Sequence, residues 1–348
     1  MSNSQTSKLK YTYLLIVHGN NPQFCKEEFK SLFYTYFPTQ QYSLQKLQNS
    51  LYELNVSFEL PNENHSFFTR LTLVRGVYRY IAQALDFDSI LEELNLQTYS
   101  YEESFAVNQI SVKTKANIEN ATLAYPIGRQ LSHLRVDLKN PSHLFYYIFI
   151  PNQVFLAEAV FENKKSYLTR MPVKRAVNKP YTLKADMARV CINLLGVRED
   201  DIVLDPFCGI GGILLEGLDM NLKMIGNDIN QSDLEHTKTN CAHFGFKLPR
   251  LYNVDAKEQF LEENSVDGIV SDIPYGRSSR RLGEELYEDF VKSAQKMLKP
   301  NKKMVIIYGC FTHFKPIALK YFEEVTEIEQ YMNSSLTRYI LVLKNSRK

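Results

Sequence analysis

From residue 202 onward, short apolar runs alternate with longer amphipathic stretches, and this rhythm narrows the fold more than any other feature. Ile202–Leu204, Lys223–Gly226, Arg250–Val254, Gly268–Val270, Lys303–Tyr308 and Tyr339–Leu343 read as strands. Helices are expected at 183–195, 211–219, 230–244, 284–298 and 313–322. A helix between two strands brings the second back parallel to the first, so the pattern predicts an α/β domain with a mainly parallel sheet. In such sheets ligands bind in the crevice at the strand carboxyl ends.

The first strand runs into Asp205-Pro206-Phe207-Cys208-Gly209-Ile210-Gly211-Gly212 and then a helix. Glycines at that turn let a ligand approach the backbone. No Gly-Lys-Ser/Thr follows, which excludes a phosphate-binding P-loop. A dinucleotide site wants its third glycine at position 214, where Leu214 stands. Asp205 would also repel a pyrophosphate. It suits a ligand with an amino group or a sulfonium, and S-adenosylmethionine carries both. Asp228 follows the next strand, 23 residues on, where an acid can accept ribose hydroxyls. Asp255 follows the third and can accept from an adenine amino group. Each acid alone reads more simply as a helix cap or surface residue. Three at successive strand ends beside a glycine loop do not.

The strand Gly268–Val270 then delivers Ser271-Asp272-Ile273-Pro274-Tyr275-Gly276. An exocyclic amine on a nucleobase is a poor nucleophile because its lone pair is delocalised into the ring. A carboxylate accepting one N–H and a backbone carbonyl accepting the other favour the pyramidal geometry that exposes the lone pair. Proline fixes the carbonyl's direction, and tyrosine offers a face to a flipped base. The gain expected is alignment of nitrogen and methyl. This chemistry requires no metal. The five cysteines form no C-x-x-C pair and the seven histidines do not cluster at ligand spacing.

The first 160 residues mix strands and helices without that rhythm. Tyr11–His18 and Leu51–Leu60 read as strands around a helix at 22–37, a small α+β module. Leu71–Ala84 and Phe87–Leu96 look helical or mixed. Ala106–Lys113 alternates, Thr122–Leu131 reads as a helix, and Arg135–Leu138, Leu144–Val154 and Phe155–Phe161 read as strands. A net charge of +2 does not announce a polyanion partner, so any basic surface must be local. Lys164–Arg189 carries eight lysines and arginines against the single acid Asp186. It is either a solvated linker or a phosphate-tracking patch. No run approaches the ~20 apolar residues that span a bilayer, and scattered cysteines suit reduced thiols. A cytoplasmic protein is expected.

Residues 179–348 resemble class I, Rossmann-type amino-methyltransferases: Asp205-Pro-Phe-Cys-Gly-x-Gly-Gly resembles their donor loop, and Asp272-Ile-Pro-Tyr their [Asp/Asn]-Pro-Pro-[Tyr/Phe] substrate motif. Gly276-Arg277-Ser278-Ser279 and Lys179-Pro180-Tyr181-Thr182-Leu183-Lys184 make the chain similar to the archaeal tRNA guanine-10 N2-methyltransferases. His133-Leu134-Arg135-Val136-Asp137-Leu138-Lys139-Asn140-Pro141 resembles the strand-and-turn signature of their THUMP domain. The resemblance implies a ferredoxin-like segment over 1–62, a THUMP RNA-binding domain over 63–162, a basic linker over 163–178 and a methyltransferase domain over 179–348. It implies that Asp205, Phe207, Gly209, Gly211 and Gly212 hold the methionine part of S-adenosylmethionine. Asp228 with Ile229 would take the ribose, Asp255 with Ala256 the adenine, and Thr182 and Lys184 the carboxylate end.

Asp272, Ile273, Pro274 and Tyr275 would position the guanine amine. Lys174, Arg175, Lys179, Arg277, Arg280, Arg281, Arg135 and Lys139 would meet RNA. Two positions depart from the family: Ile273 replaces the usual proline, and Ile210 a common threonine or serine. The implied partner is tRNA, with a small activator subunit of the kind some relatives use, on a monomeric chain. Other targets for the same chemistry are another tRNA guanosine, guanine in ribosomal RNA, or adenine in DNA. A reading from a different class is an RNA-binding protein with a vestigial donor site.

Overall fold

A computed structural model describes residues 9–18, 22–92, 103–114, 119–180, 182–274, 284–334 and 336–347. Tyr275, Arg277, Arg280 and Arg281 lie outside the described residues. The chain forms two compact units. One comprises residues 1–25 and 39–164, the other 26–38 and 165–348.

Up to residue 162 the elements are β1 (Tyr11–Val17), α1 (Pro22–Tyr36), β2 (Tyr42–Gln48), β3 (Leu51–Val56), α2 (Ser66–Arg70) and β4 (Val74–Ala84). After them come α3 (Phe87–Glu92), β5 (Ser104–Ser111), α4 (Asn120–Gln130), β6 (Arg135–Val136), β7 (His143–Ile150) and β8 (Gln153–Glu162). The strands form one sheet in the order β2-β3-β1-β4-β8-β7-β5-β6. Its pairs are antiparallel except β5 with β6 and with β7.

Two expectations change here. Residues 74–84, expected as helical or mixed, are strand β4. Its position between β1 and β8 offers a ladder on both sides, and tertiary pairing overrides local pattern. The run 144–154 is broken by a two-residue turn at Pro151-Asn152, where Asn152 takes φ +63° and lets β7 and β8 pair as a hairpin. Edge strand β2 has no buried residue, and its alternation at Tyr42 and Leu44 breaks at Lys46.

The second unit carries α5 (Ala185–Leu195), β9 (Ile202–Asp205), α6 (Gly212–Asp219), β10 (Lys223–Asn227), α7 (Gln231–His243) and β11 (Arg250–Tyr252). They are followed by β12 (Val266–Asp272), α8 (Glu284–Met297), β13 (Leu298–Gly309), α9 (Phe314–Ala318), β14 (Glu323–Asn333) and β15 (Leu336–Lys344). The sheet order is β11-β10-β9-β12-β13-β15-β14. Strands β9 to β13 run parallel, and β15 runs against both β13 and β14. Strand β14 escapes the sequence reading because it is a charged edge strand, with four glutamates in eleven residues. Under one face, Leu204, Ile269, Phe290, Met304 and Ile306 form a core into which Ile273 also packs. The strand order reverses between β9 and β12, which opens a crevice at their carboxyl ends.

Candidate active site

Asp205 ends β9 and is 1% exposed. Its Oδ1 accepts the Ser271 hydroxyl at 2.6 Å and the Phe207 amide at 3.3 Å. Burial pushes its pKa from 3.8 to about 7, against the opposing pull of the Ser271 and Phe207 hydrogen bonds. Ser271 had no role in the sequence reading. It lies one residue before Asp272, and its side chain joins the ends of β12 and β9.

The glycine loop is held from α7. Gly211 takes φ +85°, and a Cβ there would stand 2.9 Å from Thr237 Cγ2. Thr237 Oγ1 donates to the Gly209 carbonyl at 2.9 Å, and Asn240 Nδ2 to the Ile210 carbonyl at 3.0 Å. Asp228 accepts the Gly209 amide on Oδ2 at 2.8 Å and the Asn230 amide on Oδ1 at 2.9 Å. Burial raises its pKa too, while those two amides lower it. Each carboxylate oxygen keeps lone-pair capacity for a ligand hydroxyl.

Asn227, also missed from sequence, ties these loops together. It is fully buried; Nδ2 donates to the carbonyls of Pro206 and Val254, both at 3.1 Å, and Oδ1 accepts the Val254 amide at 3.1 Å. The signal was a polar residue closing the otherwise apolar run Met224-Ile225-Gly226. Asp255 stands three residues past the end of β11 and half-exposed, accepting the Lys257 amide at 3.1 Å and its ammonium at 3.1 Å.

Asp272 is the last residue of β12, in register with Ile307 of β13. The next side chain, Ile273, is 1% exposed and turned into the core. Its departure from the family's proline is therefore a matter of packing on the core side. The Pro274 carbonyl accepts the hydroxyl of Tyr287 from α8 at 2.9 Å. Tyr287 is a third residue that the sequence did not single out.

Two cavities open on this edge and share Phe207 and Asp272. The larger, about 510 Å³, is also lined by Asp228, Ile229, Asp255, Ala256 and Pro274. The smaller, about 210 Å³, is lined by Thr182, Leu183, Asp205, Gly209, Gly212 and Asp233 among others. Gly211 lines neither cavity, and Lys184 is exposed and outside both. Among the described residues no group of three or more His, Cys, Asp or Glu could hold a metal ion. No described helix is long and apolar enough to cross a membrane.

The basic stretch divides. Lys174 and Lys179 are exposed, and Lys179 pairs with Asp233. Arg170 and Arg189 are buried against Glu216 and Asp219 of α6. Arg175, expected at an RNA-facing surface, is 6% exposed and donates to the carbonyls of Arg170 and Leu183 instead. In the first unit Arg135 and Lys139 are exposed, Arg135 lying 3.5 Å from Asp137.

Residues 172–339 match the family described as UPF0020, RMKL-like, methyltransferase domain. The tRNA (guanine(10)-N2)-dimethyltransferase of Methanothermobacter thermautotrophicus is 32% identical over 270 residues, 76% of this chain and 79% of that protein. The protein of the same name from Methanocaldococcus jannaschii is 31% identical over 221 residues, 61% of each chain. The crystal structure of TrmN from Thermus thermophilus matches 97% of this chain and 100% of its own, with a TM-score of 0.50 at 18% identity, a likeness of fold. The chain belongs to the tRNA (guanine(10)-N2)-dimethyltransferase family.

Proposed function

We propose that this chain transfers a methyl group from S-adenosylmethionine to the exocyclic N2 of a tRNA guanosine, guanosine 10 being the target, adding one methyl or two. The observation that carries the reading is the convergence of Asp205, Asp228 and Asp272 on two adjoining cavities in a chain of this family. The residues fit the donor. Asp205 is a buried carboxylate whose charge calls for a cation, as the donor's ammonium would supply. Asp228, with Ile229, would hold the ribose, and Asp255 with Ala256 the adenine. The bound donor supplies an electrophilic methyl on a sulfonium.

At the other side of the crevice, Asp272 accepts one N–H of the amine and the Ile273 carbonyl the other. Tyr287 already engages the neighbouring Pro274 carbonyl, which supports that division of labour. Transfer of that methyl would form the N–C bond at the expense of the donor's S–C bond, and Asp272 would pass the amine's surplus proton to solvent. Holding the atoms in line supplies most of the acceleration. The first unit, with exposed Arg135 and Lys139, serves as the THUMP docking half that reads tRNA shape.

The test is mass spectrometry of nucleosides from unmodified tRNA incubated with the chain and donor, with fragment mapping. N2-methylguanosine or N2,N2-dimethylguanosine at position 10 is expected. Either product elsewhere corrects the position, and no methylguanosine overturns the function.

A further inference from the structure

Arg175 is a buried cation with no carboxylate in direct contact among the described residues. Its Nε donates to the Arg170 carbonyl at 3.1 Å and Nη2 to the Leu183 carbonyl at 3.3 Å, while Nη1 is buried with no hydrogen-bond partner. The carboxylates of Glu216 and Asp219 are taken up by Arg170 and Arg189, and Arg175 forms no ion pair among the described residues. Burial disfavours its charged form and lowers its pKa, against the through-space attraction of Glu216.

The position of that charge is informative. Nη1 lies 3.0 Å from where a Cβ on Gly212 would stand. Gly212 opens α6 and lines the smaller cavity together with Thr182, Leu183 and Ile213. The first amides of a helix carry partial positive charge. A guanidinium lodged there adds a second positive source in a low-dielectric setting, which Glu216 offsets only through space while it pairs with Arg170 and Arg189, so an anion at the helix head is favoured. Asp205 lines the same cavity and supplies the opposite sign. One cavity with a carboxylate on one wall and a doubly positive helix head on another is complementary to an α-amino-acid zwitterion.

We propose that Arg175 is a positioning residue for the amino-acid end of the methyl donor, its buried charge acting through the head of α6 to draw in the α-carboxylate. This rests on the donor-site reading above. It removes Arg175 from the RNA contacts.

Calorimetry with two ligands tests it. S-adenosylhomocysteine carries the carboxylate; S-adenosyl-3-thiopropylamine keeps the adenosine, sulfur and amine and lacks only that group. Arg175→Gln should weaken the first about tenfold or more and the second less than about twofold, with tRNA affinity unchanged. Equal losses for both ligands would mean mere support of the loop, and no loss for either would mean no role; both outcomes overturn the proposal. Should Arg175→Gln fail to fold, Arg175→Lys carries the test. It keeps the charge, so the preference for S-adenosylhomocysteine should survive within about threefold of wild type, and collapse of that preference overturns the idea. Wild-type protein binding neither ligand would instead remove the donor site itself.

Discussion

The two sheets differ in where they send successive loops. In the first, antiparallel neighbours such as β1 with β3 and β7 with β8 return the chain to alternate edges, so residues near in sequence separate. In the second, each crossover brings β9, β10, β11 and β12 back in the same direction. Asp205, Asp228, Asp255 and Asp272, spaced by 23, 27 and 17 residues, therefore arrive on one edge. A parallel sheet converts spacing along the chain into proximity, and an antiparallel one does so only within a hairpin. The difference implies that single substitutions should stop chemistry in the second sheet and only weaken docking in the first.

The largest expected contrast is between Asp272→Ala and Lys139→Glu. Loss of the Asp272 carboxylate should lower kcat by about 10²-fold to 10⁴-fold, with the melting temperature little changed because Asp272 sits half-exposed at a strand end. Reversing the exposed charge of Lys139 should raise KM for tRNA by about threefold to tenfold and leave kcat unchanged. Steady-state kinetics with tRNA as the varied substrate reads both. Equal kcat losses in the two variants would break the comparison.

The same contrast governs how much of the molecule could be read in advance. The alternation of strand and helix after residue 202 and the acids at strand ends were legible because each is a local pattern repeated at the period of its element. Strand β4 was not, because its partners β1 and β8 lie about 60 and 80 residues away in sequence. Within the site, the groups that line the cavities were largely visible, and the groups that hold them were not. Ser271, Asn227 and Tyr287 act through contacts with residues 66, 27 and 13 positions away. Arg175 shows the converse: composition marked it as a surface cation, and the fold buried it.

Each unit also has an asparagine that ties loops to its sheet, and comparing them separates stability from site geometry. In the second sheet, Asn227→Ala would strip three buried hydrogen bonds from Pro206 and Val254. Leaving those groups without partners should cost about 2–4 kcal/mol and weaken donor binding, since both loops line the crevice. In the first unit, just past β8, Asn163 Nδ2 donates to the carbonyls of Leu71, Thr72 and Val74 at 2.8, 3.3 and 3.0 Å. Asn163→Ala should cost about 1–3 kcal/mol and leave donor affinity intact. Thermal melts paired with calorimetry check both, and a loss of donor affinity in the Asn163 variant would refute the separation.

Burial acts on titratable groups in both sheets with opposite consequences. In the first it pushes the Tyr78 phenol upward, away from neutral pH, with Glu162 adding to the effect. In the second it lifts Asp205 from 3.8 to about 7, into the neutral range. On the proposed donor-site reading the Asp205 carboxylate holds the donor's ammonium, so donor affinity should fall as pH drops below about 7, approaching tenfold per pH unit. The ligand-free fold responds with the other sign. A carboxyl whose folded pKa is raised contributes stability that is fully present below its unfolded pKa and lost as pH rises through about 7. Ser271→Ala removes a hydrogen bond that favours the charged form. The midpoint of donor affinity should then move up by about half a unit to one unit, and the ligand-free protein should lose more stability between acid and neutral pH, because its folded-state pKa lies further above the unfolded value. A midpoint that stays in place or moves down, in calorimetric titrations between pH 5.5 and 8.5, would mean that a group other than Asp205 sets the pH dependence of donor binding.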